Sequence, residues 1–287
     1  MKIGVLGGSG LYEIDGLQDV QEVGLATPFG APSDVFLTGR LDGVDMVFLP
    51  RHGRGHRLTP SEINYRANIW GLKSLGVTHV VAVSAVGSMR EEIAPGDFVL
   101  IDQFIDRTRH RKDTFFGGGV VAHVMFGDPV CEGVRGALMA ATAKGEVKVH
   151  DGGTYLCMEG PQFSTRAESE LYRSWNVDVI GMTNLTEAKL AREAELCYAT
   201  LAMATDYDCW HDGHDEVTVD AIVATMKSNV EHARQVIRAM VSELAKLPAC
   251  HHADALANAM LTDPTTIDED TRTRMELLIG RYLENRG

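Results

Sequence analysis

Two carboxylates stand at the end of a strongly apolar segment near residue 200. The stretch ELCYATLAM is followed by ATDYDCW, which places Asp206 and Asp208 on either side of Tyr207. Side chains alternate between the two faces of an extended chain, so both carboxylates point to the same side. Burial and a neighbouring carboxylate each raise the pKa of a carboxyl group. The pair therefore has the chemistry of a general acid, although two acids that cap the next segment are the commoner origin of such a pattern.

Other apolar segments end in groups that can donate hydrogen bonds to an anion. In an open α/β sheet, ligands bind beyond the carboxyl ends of the strands. Arginine offers a charged, forked donor, and hydroxyl and backbone N–H groups offer short ones. We expect one tetrahedral anion to be bound jointly by the groups that follow the segments KIGVLG, VFLP, VVAV and VIGM, namely Ser9, Arg51, His52, Ser84, Ala85 and Thr183.

Strand-like and helix-like segments alternate along most of the chain, which predicts an α/β fold with a mixed central sheet flanked by helices. Asp42-Gly43 predicts a hairpin turn. Thr59 and Glu62 have the spacing of a capping box and predict a helix that closes at Gly76. Thr165 and Glu168 have the same spacing. We further predict one strand in DFVLIDQFID, a long amphipathic helix over 218–247, and a tail with two helices separated by TDPTTIDED.

From this pattern we predict one α/β domain over residues 1–248 and a helical C-terminal extension over 249–287. No internal repeat interrupts the alternation. A dinucleotide fingerprint beginning at Gly8 is excluded because its third glycine position is occupied by Glu13. The chain also lacks the Gly-Lys-Ser/Thr ending of a P-loop.

Composition narrows the class of protein. The 287 residues carry a formal net charge of −13, which repels polyanions and argues against general nucleic-acid binding. No apolar run approaches the length of a membrane span, and the N-terminus lacks the pattern of a signal peptide, so we expect a cytoplasmic protein without a membrane partner. We interpret the basic stretch 106–113 as a solvated loop.

The cysteines favour a reducing compartment. Five cysteines are widely spaced, their number is odd and no CxxC pair occurs, which predicts free thiols. His251 and His252 follow Cys250, but no second cluster with the spacing of metal ligands accompanies them. We therefore expect no metal.

Several long stretches closely resemble the trimeric purine nucleoside phosphorylase family. They are VLGGSGLY, TPFGAPSD, RHGRGH, NYRANIWGLKSLG, REEIAPGDFVLIDQFIDRT, EGPQFSTRAES and ATDYDCW, and the resemblance extends from residue 2 to about 245. It implies a single-domain nucleoside phosphorylase fold that assembles into a homotrimer. It also implies phosphorolysis, in which inorganic phosphate is a co-substrate, attacks C1' of a purine nucleoside and releases the base, with no cofactor.

The resemblance assigns roles at matching positions. Phosphate is held by the six anion-binding residues given above, with Ala85 acting through its backbone. Serine stands at positions 9 and 84, where relatives often have threonine, and the hydroxyl is kept. Thr186 replaces a proline common in relatives. Substrate contacts are expected at Met182 under the ribose, Phe163 near sugar and base, Val219 and Ile222 at the 5' group, Asp206, Tyr207 and Asp208 at the base, and His123 from a neighbouring subunit.

The substrate follows from the two ends of the nucleoside. The apolar residues Val219 and Ile222 favour a 5'-methylthio group, because a buried hydroxyl without a partner costs about 1–3 kcal/mol. Asp206 as proton donor to N7 favours adenine, so the resemblance implies phosphorolysis of S-methyl-5'-thioadenosine, with 5'-deoxyadenosine as a further substrate. A 6-oxopurine or methylthioinosine phosphorylase is the alternative; such relatives carry asparagine at position 206 and often glutamate at the specificity position Ser164. A non-catalytic nucleoside-binding protein is a third hypothesis.

Overall fold

The structure, a computed structural model, describes residues 1–143, 145–211, 219–248 and 250–284, without the side chains of residues 9, 219–222, 224, 251 and 284. Its described strands are β1 (Lys2–Gly7), β2 (Gln18–Val23), β3 (Phe36–Leu41), β4 (Val44–Pro50), β5 (His79–Ser88), β6 (Phe98–Leu100), β7 (Gln103–Arg107), β8 (Val149–Asp151), β9 (Thr154–Met158), β10 (Val179–Gly181) and β11 (Cys197–Tyr207). Its described α-helices are α1 (Tyr65–Ser74), α2 (Glu132–Thr142), α3 (Arg166–Ser174), α4 (Asn184–Glu193), α5 (Val219–Leu244) and α6 (Glu269–Glu284).

The strands form one mixed sheet, as the alternating pattern predicts. Its main path runs β2-β3-β4-β1-β5-β10-β9-β7, and β11 pairs with both β5 and β6. The central strands β1, β4, β5 and β11 pair in parallel where they meet. The first nine residues of β11 are all buried. Continuous burial is typical of a parallel strand that has helices on both faces.

Helices cover both faces of the sheet. On one face α2 and α5 pack together and against β11, around a core that includes Leu138, Ile237 and Met240. The other face is covered by α1, α4 and the C-terminal tail, whose residues Met260 and Ile279 belong to the same apolar cluster as the sheet residues there. The fold is therefore a three-layer arrangement in which the tail completes one layer.

The edge of β5 changes partner part of the way along the strand. β1 pairs with it as far as Ala82, whereas β10 pairs with Gly87 and Ser88 in the antiparallel direction. On this edge Val83–Val86 has no strand partner within the described residues, while the opposite edge stays paired with β11. The backbone of this segment thus borders an opening in the strand pairing between β1 and β10.

Several predicted boundaries are confirmed. The hairpin between β3 and β4 turns at Asp42 and Gly43, with φ of 49° and 82°. Thr165 and Glu168 form the predicted capping box at the start of α3. The long amphipathic helix is α5, and Gly76 follows α1 with φ of 79°, a conformation that suits glycine after a helix.

Other predicted boundaries are wrong. Thr59 does bond to Glu62, but only within an isolated turn, and α1 begins six residues later at Tyr65, where the Asn64 side chain accepts from Ala67 N–H. The predicted strand DFVLIDQFID is divided into β6 and β7. In the tail, α6 is the only α-helix among the described residues. A short 3₁₀ turn at His251–Asp254 stands where the other helix was predicted, and a second one, Pro264–Thr266, lies within the predicted separator.

Two predictions about side chains are also corrected. The stretch 106–113 is not a wholly solvated loop, because the Arg111 side chain is only 1% exposed. Cys197 and Cys250 are joined in a disulfide, whereas Cys131, Cys157 and Cys209 are free. Within the described residues, the helices lack the combination of length and apolarity that crossing a bilayer requires.

Candidate active site

Arg51 lies at the end of β4 and is held by an ion pair in the interior. Its guanidinium forms two hydrogen bonds to the Glu187 carboxylate, through Nε and through Nη2 at 3.0 Å. It also donates to the carbonyls of Val83 at 3.0 Å and Leu6 at 3.4 Å. Burial alone would lower the pKa of Arg51, but Glu187 raises it, so the side chain stays charged. The guanidinium of Arg51 is therefore already hydrogen-bonded to other protein groups, and it connects β1, β4 and β5 to α4.

His52 is neutral and has a defined tautomer. Nδ1 lies 2.8 Å from the carbonyl oxygen of Leu58. Because a carbonyl only accepts, Nδ1 carries the proton and Nε2 is left as an acceptor. Burial lowers the pKa of His52 to about 4, and the positive charges of Arg51 and His56 act in the same direction. His52 can thus accept a hydrogen bond from an anion's own hydroxyl group without adding charge.

Ser84 and Thr183 face each other across the opening beside β5. The antiparallel pairing of Val179 with Ser88 and of Ile180 with Gly87, continued by sequence, brings Thr183 opposite Ser84. The buried hydroxyl of Tyr155 lies 3.4 Å from Thr183 N and also hydrogen-bonds Ser84. Thr183 precedes α4, whose first N–H groups favour an anion at this point. The structure therefore brings Arg51, Ser84, Ala85 and Thr183 to one side of β5.

Tyr155 requires a glycine on the neighbouring strand. A β-carbon built on Gly181 would lie 2.0 Å from the Tyr155 hydroxyl oxygen, a distance that no side chain tolerates. Any larger residue at position 181 would displace the tyrosine that contacts both Ser84 and Thr183. The glycine in VIGM is thus explained by this close approach.

The two carboxylates at the end of β11 lie beside Gly87 of β5. The pairing register shifts between Ala204 and Asp206, so Thr205 is an extra residue of a bulge. A β-carbon on Gly87 would lie 3.4 Å from Asp206 Oδ1 and 3.6 Å from Asp208 Cβ. Both acids therefore share one side of the sheet, as alternation predicts. They lie about 10 Å from the Ser84 end of the opening, at about 3.3 Å per strand residue.

Their environments differ. The Asp206 carboxyl lies 2.6 Å from the Thr205 hydroxyl, and Asp208 accepts from the Ser164 hydroxyl at 2.6 Å. Burial raises the pKa of Asp206 to about 6, the charge of Asp208 adds to this, and the bond from Thr205 opposes it. Asp206 can thus hold a proton close to neutral pH, while Ser164 orients Asp208.

The raised pKa of Asp206 predicts a dependence of stability on pH. The folded pKa lies above the ordinary value of 3.8, so this side chain contributes most below about pH 4, and its contribution is lost as the pH rises to about 6. Two pKa units correspond to at most about 3 kcal/mol. We expect the free energy of unfolding of wild type, minus that of Asp206→Asn, to fall between pH 4 and pH 7 in urea titrations. A difference that is constant with pH would contradict the raised pKa.

The loop after β9 lies beside Met182 and Asp208 and is anchored by Arg111. Arg111 donates hydrogen bonds to the backbone carbonyls of Met182 and, at 2.8 Å, of Glu159. It also lies 3.1 Å from the Tyr65 hydroxyl. The Glu159 carboxylate accepts from Ser61 and from the Arg109 N–H. This anchoring fixes Met182 next to the loop that carries Phe163 and Ser164.

Some predicted site residues are not brought to the opening. Tyr207 points away from the two acids, donates to the Glu91 carbonyl and stacks on His211. His123 is exposed and its backbone pairs with Ala259. Phe163 belongs to the loop after β9 but is 70% exposed. The side chains of three further residues lie outside the described part of the structure, namely Ser9, Val219 and Ile222.

Sequence reasoning missed the residues that support the site. Glu187 and Tyr155 are buried, and Arg111 was assigned to a solvated loop. Glu187 stands among the apolar residues Leu185, Ala188 and Leu190 of α4, which was a weak signal, because a buried carboxylate requires a partner. Nothing in the local sequence identified that partner as Arg51, which is 136 residues away.

Comparison with known proteins identifies the family. The family model described as the phosphorylase superfamily matches residues 2–242. An S-methyl-5'-thioadenosine phosphorylase of Geobacter sulfurreducens is 62% identical over 98% of this chain and 99% of its own.

Solved structures agree as well. A methylthioadenosine phosphorylase from an antarctic soil metagenomic library is 48% identical, with a TM-score of 0.93 over 96% of this chain and 98% of its own. A variant of adenosine/methylthioadenosine phosphorylase from Schistosoma mansoni, solved with methylthioadenosine, is 37% identical with a TM-score of 0.80 over 86% and 93%. The chain belongs to the phosphorylase superfamily.

Proposed function

We propose that the protein catalyses phosphorolysis of S-methyl-5'-thioadenosine to adenine and 5-methylthioribose 1-phosphate. The observation that carries this proposal is the arrangement along β5, where anion donors stand at Ser84 and a protonatable acid stands beside Gly87. The paired strands β5 and β11 thus present the groups that the two ends of the reaction require. Relatives with 62% and 57% identity are named for this activity.

At the base end, Asp206 is the general acid. Cleavage of the glycosidic bond leaves negative charge on the purine, and a proton delivered to N7 neutralises it. General acid catalysis of this kind contributes roughly 10²–10⁴-fold. The ionised carboxylate of Asp208 accepts from the 6-amino group, and Ser164 holds it in place at 2.6 Å. This division of roles favours adenine over a 6-oxopurine.

At the phosphate end, Ser84, Thr183, the Ala85 backbone and the start of α4 supply the donors. Arg51 adds positive charge while its fork remains bound to Glu187. Neutral His52 accepts from a phosphate hydroxyl through Nε2. Ser9 completes the donor set by its position after β1. Inorganic phosphate is the second substrate, and we assign no cofactor or metal to the reaction itself.

At the 5' end, Val219 and Ile222 select the methylthio group by apolar contact, with 5'-deoxyadenosine as a further substrate. Met182 lies under the ribose and Phe163 lies over sugar and base. Asp206 disfavours the alternative, a 6-oxopurine or methylthioinosine phosphorylase. Its carboxyl group matches the hydrogen-bond donors and acceptors of adenine.

We also propose that the active protein is a homo-oligomer, a trimer, in which His123 reaches a neighbour's site. The exposed apolar side chains around it support this: Val121 is 46%, Met125 85% and Leu261 69% exposed. Val121 and Leu261 lie on adjacent strands of one small antiparallel bridge. Such a surface is typical of an interface. We place the enzyme in the cytoplasm, with no nucleic-acid or membrane partner.

One assay tests the proposal. Purified protein is incubated with methylthioadenosine, 5'-deoxyadenosine, adenosine and inosine, with and without phosphate, and base release is followed by chromatography. We expect adenine release from methylthioadenosine that depends on phosphate. No release would sink the proposal, and a higher kcat/KM on inosine would favour the alternative. Light scattering on the same sample checks for a trimer, and a monomer under assay conditions would contradict the assembly.

A further inference from the structure

Three cysteines and one histidine from distant parts of the chain meet beside α2. They are Cys131 before α2, Cys197 at the start of β11, and Cys250 and His252 in the tail. Their ligand atoms all lie within 4.8 Å of one another. We propose that Cys131, Cys197, Cys250 and His252 form a structural zinc site when the cysteines are reduced.

The sulfur atoms of Cys131 and Cys250 have the separation of two ligands in a tetrahedral zinc site. Zinc bonds thiolate sulfur at about 2.3 Å, so two sulfur ligands of a tetrahedral site lie about 3.8 Å apart. Cys131 Sγ and Cys250 Sγ are 3.7 Å apart. Three cysteines and one histidine are a common ligand set for structural zinc, and soft thiolates select zinc over magnesium or calcium.

Backbone donors face the sulfur of Cys131. It accepts from the backbone N–H groups of Gly133 and Val134 in the first turn of α2, and Arg192 lies near it. A metal-bound thiolate could keep these hydrogen bonds, because metal-bound thiols are deprotonated outright.

The site is mostly buried, which indicates a structural role. Cys131, Cys197 and His252 are 4%, 1% and 6% exposed, and Cys250 is half-buried. Catalytic zinc keeps one position open to water or substrate, whereas structural zinc uses four protein ligands. Zinc here would fasten the tail to α2 and β11. The tail segment that follows it pairs with Ala122 and His123 through Met260 and Ala259.

Binding is balanced by loss of protons. Three thiols each release a proton to solvent, and His252 coordinates through a neutral ring nitrogen. The disulfide of Cys197 and Cys250 is the oxidised alternative of the same cluster. Conversion to the zinc form then requires two electrons from a thiol or phosphine reductant, whereas protein whose cysteines stay reduced requires none.

The experiment uses the full chain, purified without a metal-affinity tag in a phosphine reductant and dialysed against metal-free buffer. Mass spectrometry of metals should find about one zinc per chain. Cobalt added to the chelated protein should give the strong visible and near-ultraviolet absorption of a tetrahedral thiolate site. Reduced protein that holds no zinc and takes up neither zinc nor cobalt would overturn the proposal.

Variants locate the metal. Cys131→Ala and His252→Ala should lose most of the zinc, whereas Cys157→Ala should keep it, because Cys157 is an equally buried thiol outside the cluster. Zinc retained at full occupancy in Cys131→Ala and His252→Ala would place the metal elsewhere and refute this site. If these variants do not fold, the cobalt spectrum of the unmodified chain still decides.

Removal of the metal gives a second readout. After a strong chelator, hydrogen exchange should rise in residues 250–262 and in the paired segment 120–124, while β1 and β5 stay protected. Unchanged protection of the tail after complete zinc removal would contradict the fastening role.

Discussion

Asp206→Asn should lower kcat/KM for methylthioadenosine by about 10²–10⁴-fold, the contribution of a general acid. An asparagine amide can hydrogen-bond N7, but it cannot deliver a proton to it. It can also donate to a 6-oxo group, so the ratio of kcat/KM for inosine over methylthioadenosine should rise. Initial rates on both nucleosides at saturating phosphate measure this.

The matched control is Asp45→Asn, which removes an exposed carboxylate far along β4 from the site. It should leave kcat/KM unchanged on both substrates. Full activity of Asp206→Asn with adenine nucleosides alone would show that another group protonates the base.

Glu187→Gln should lower the free energy of unfolding by about 3–5 kcal/mol. The Glu187 side chain is 2% exposed and its partner Arg51 is 4% exposed. Removing one charge of a buried pair leaves the other uncompensated in the interior, which is costly. Glutamine keeps the size of the side chain, so the loss reports charge rather than a cavity. Urea unfolding at a fixed protein concentration measures it.

Glu231→Gln is the surface counterpart. It removes one of the two carboxylate partners of Arg234, the other being Glu13, from a pair in which Glu231 is 60% exposed. Exposed pairs contribute about 0–1 kcal/mol, so this variant should unfold close to wild type. If Glu187→Gln had the same free energy of unfolding as Glu231→Gln, the ion pair of Glu187 with Arg51 would not be what holds the strand ends to α4.

Local signals in the sequence predicted much of the fold. The hairpin at Asp42-Gly43 and the capping box at Thr165 depend on residues close in sequence, and both are confirmed. The predicted start of α1 at Thr59 is wrong. Asn64 hydrogen-bonds both Ala67 and the distant Phe29 carbonyl, so a tertiary contact selects the N-cap residue.

The positions of candidate site residues could be predicted where strand order alone brings those residues together. Asp206 and Asp208 share a side of the sheet because of alternation, and Ser84 and Thr183 face each other because of register. The partners of buried charges were not predictable, since Arg51 and Glu187 are 136 residues apart. The contact between Cys131 and Cys250 likewise depends on how the tail packs, and the spacing of the cysteines along the sequence does not predict it.

The partner change along β5 has a consequence for what the enzyme can accept. The proposed phosphate donors Ser84 and Ala85 stand on β5, whereas the proposed acid Asp206 stands on β11, which pairs with β5 in parallel. Their separation is therefore set by the register between two paired strands. A nucleoside analogue with one atom inserted between sugar and base should bind poorly, because lengthening the ligand cannot be matched by shifting that register.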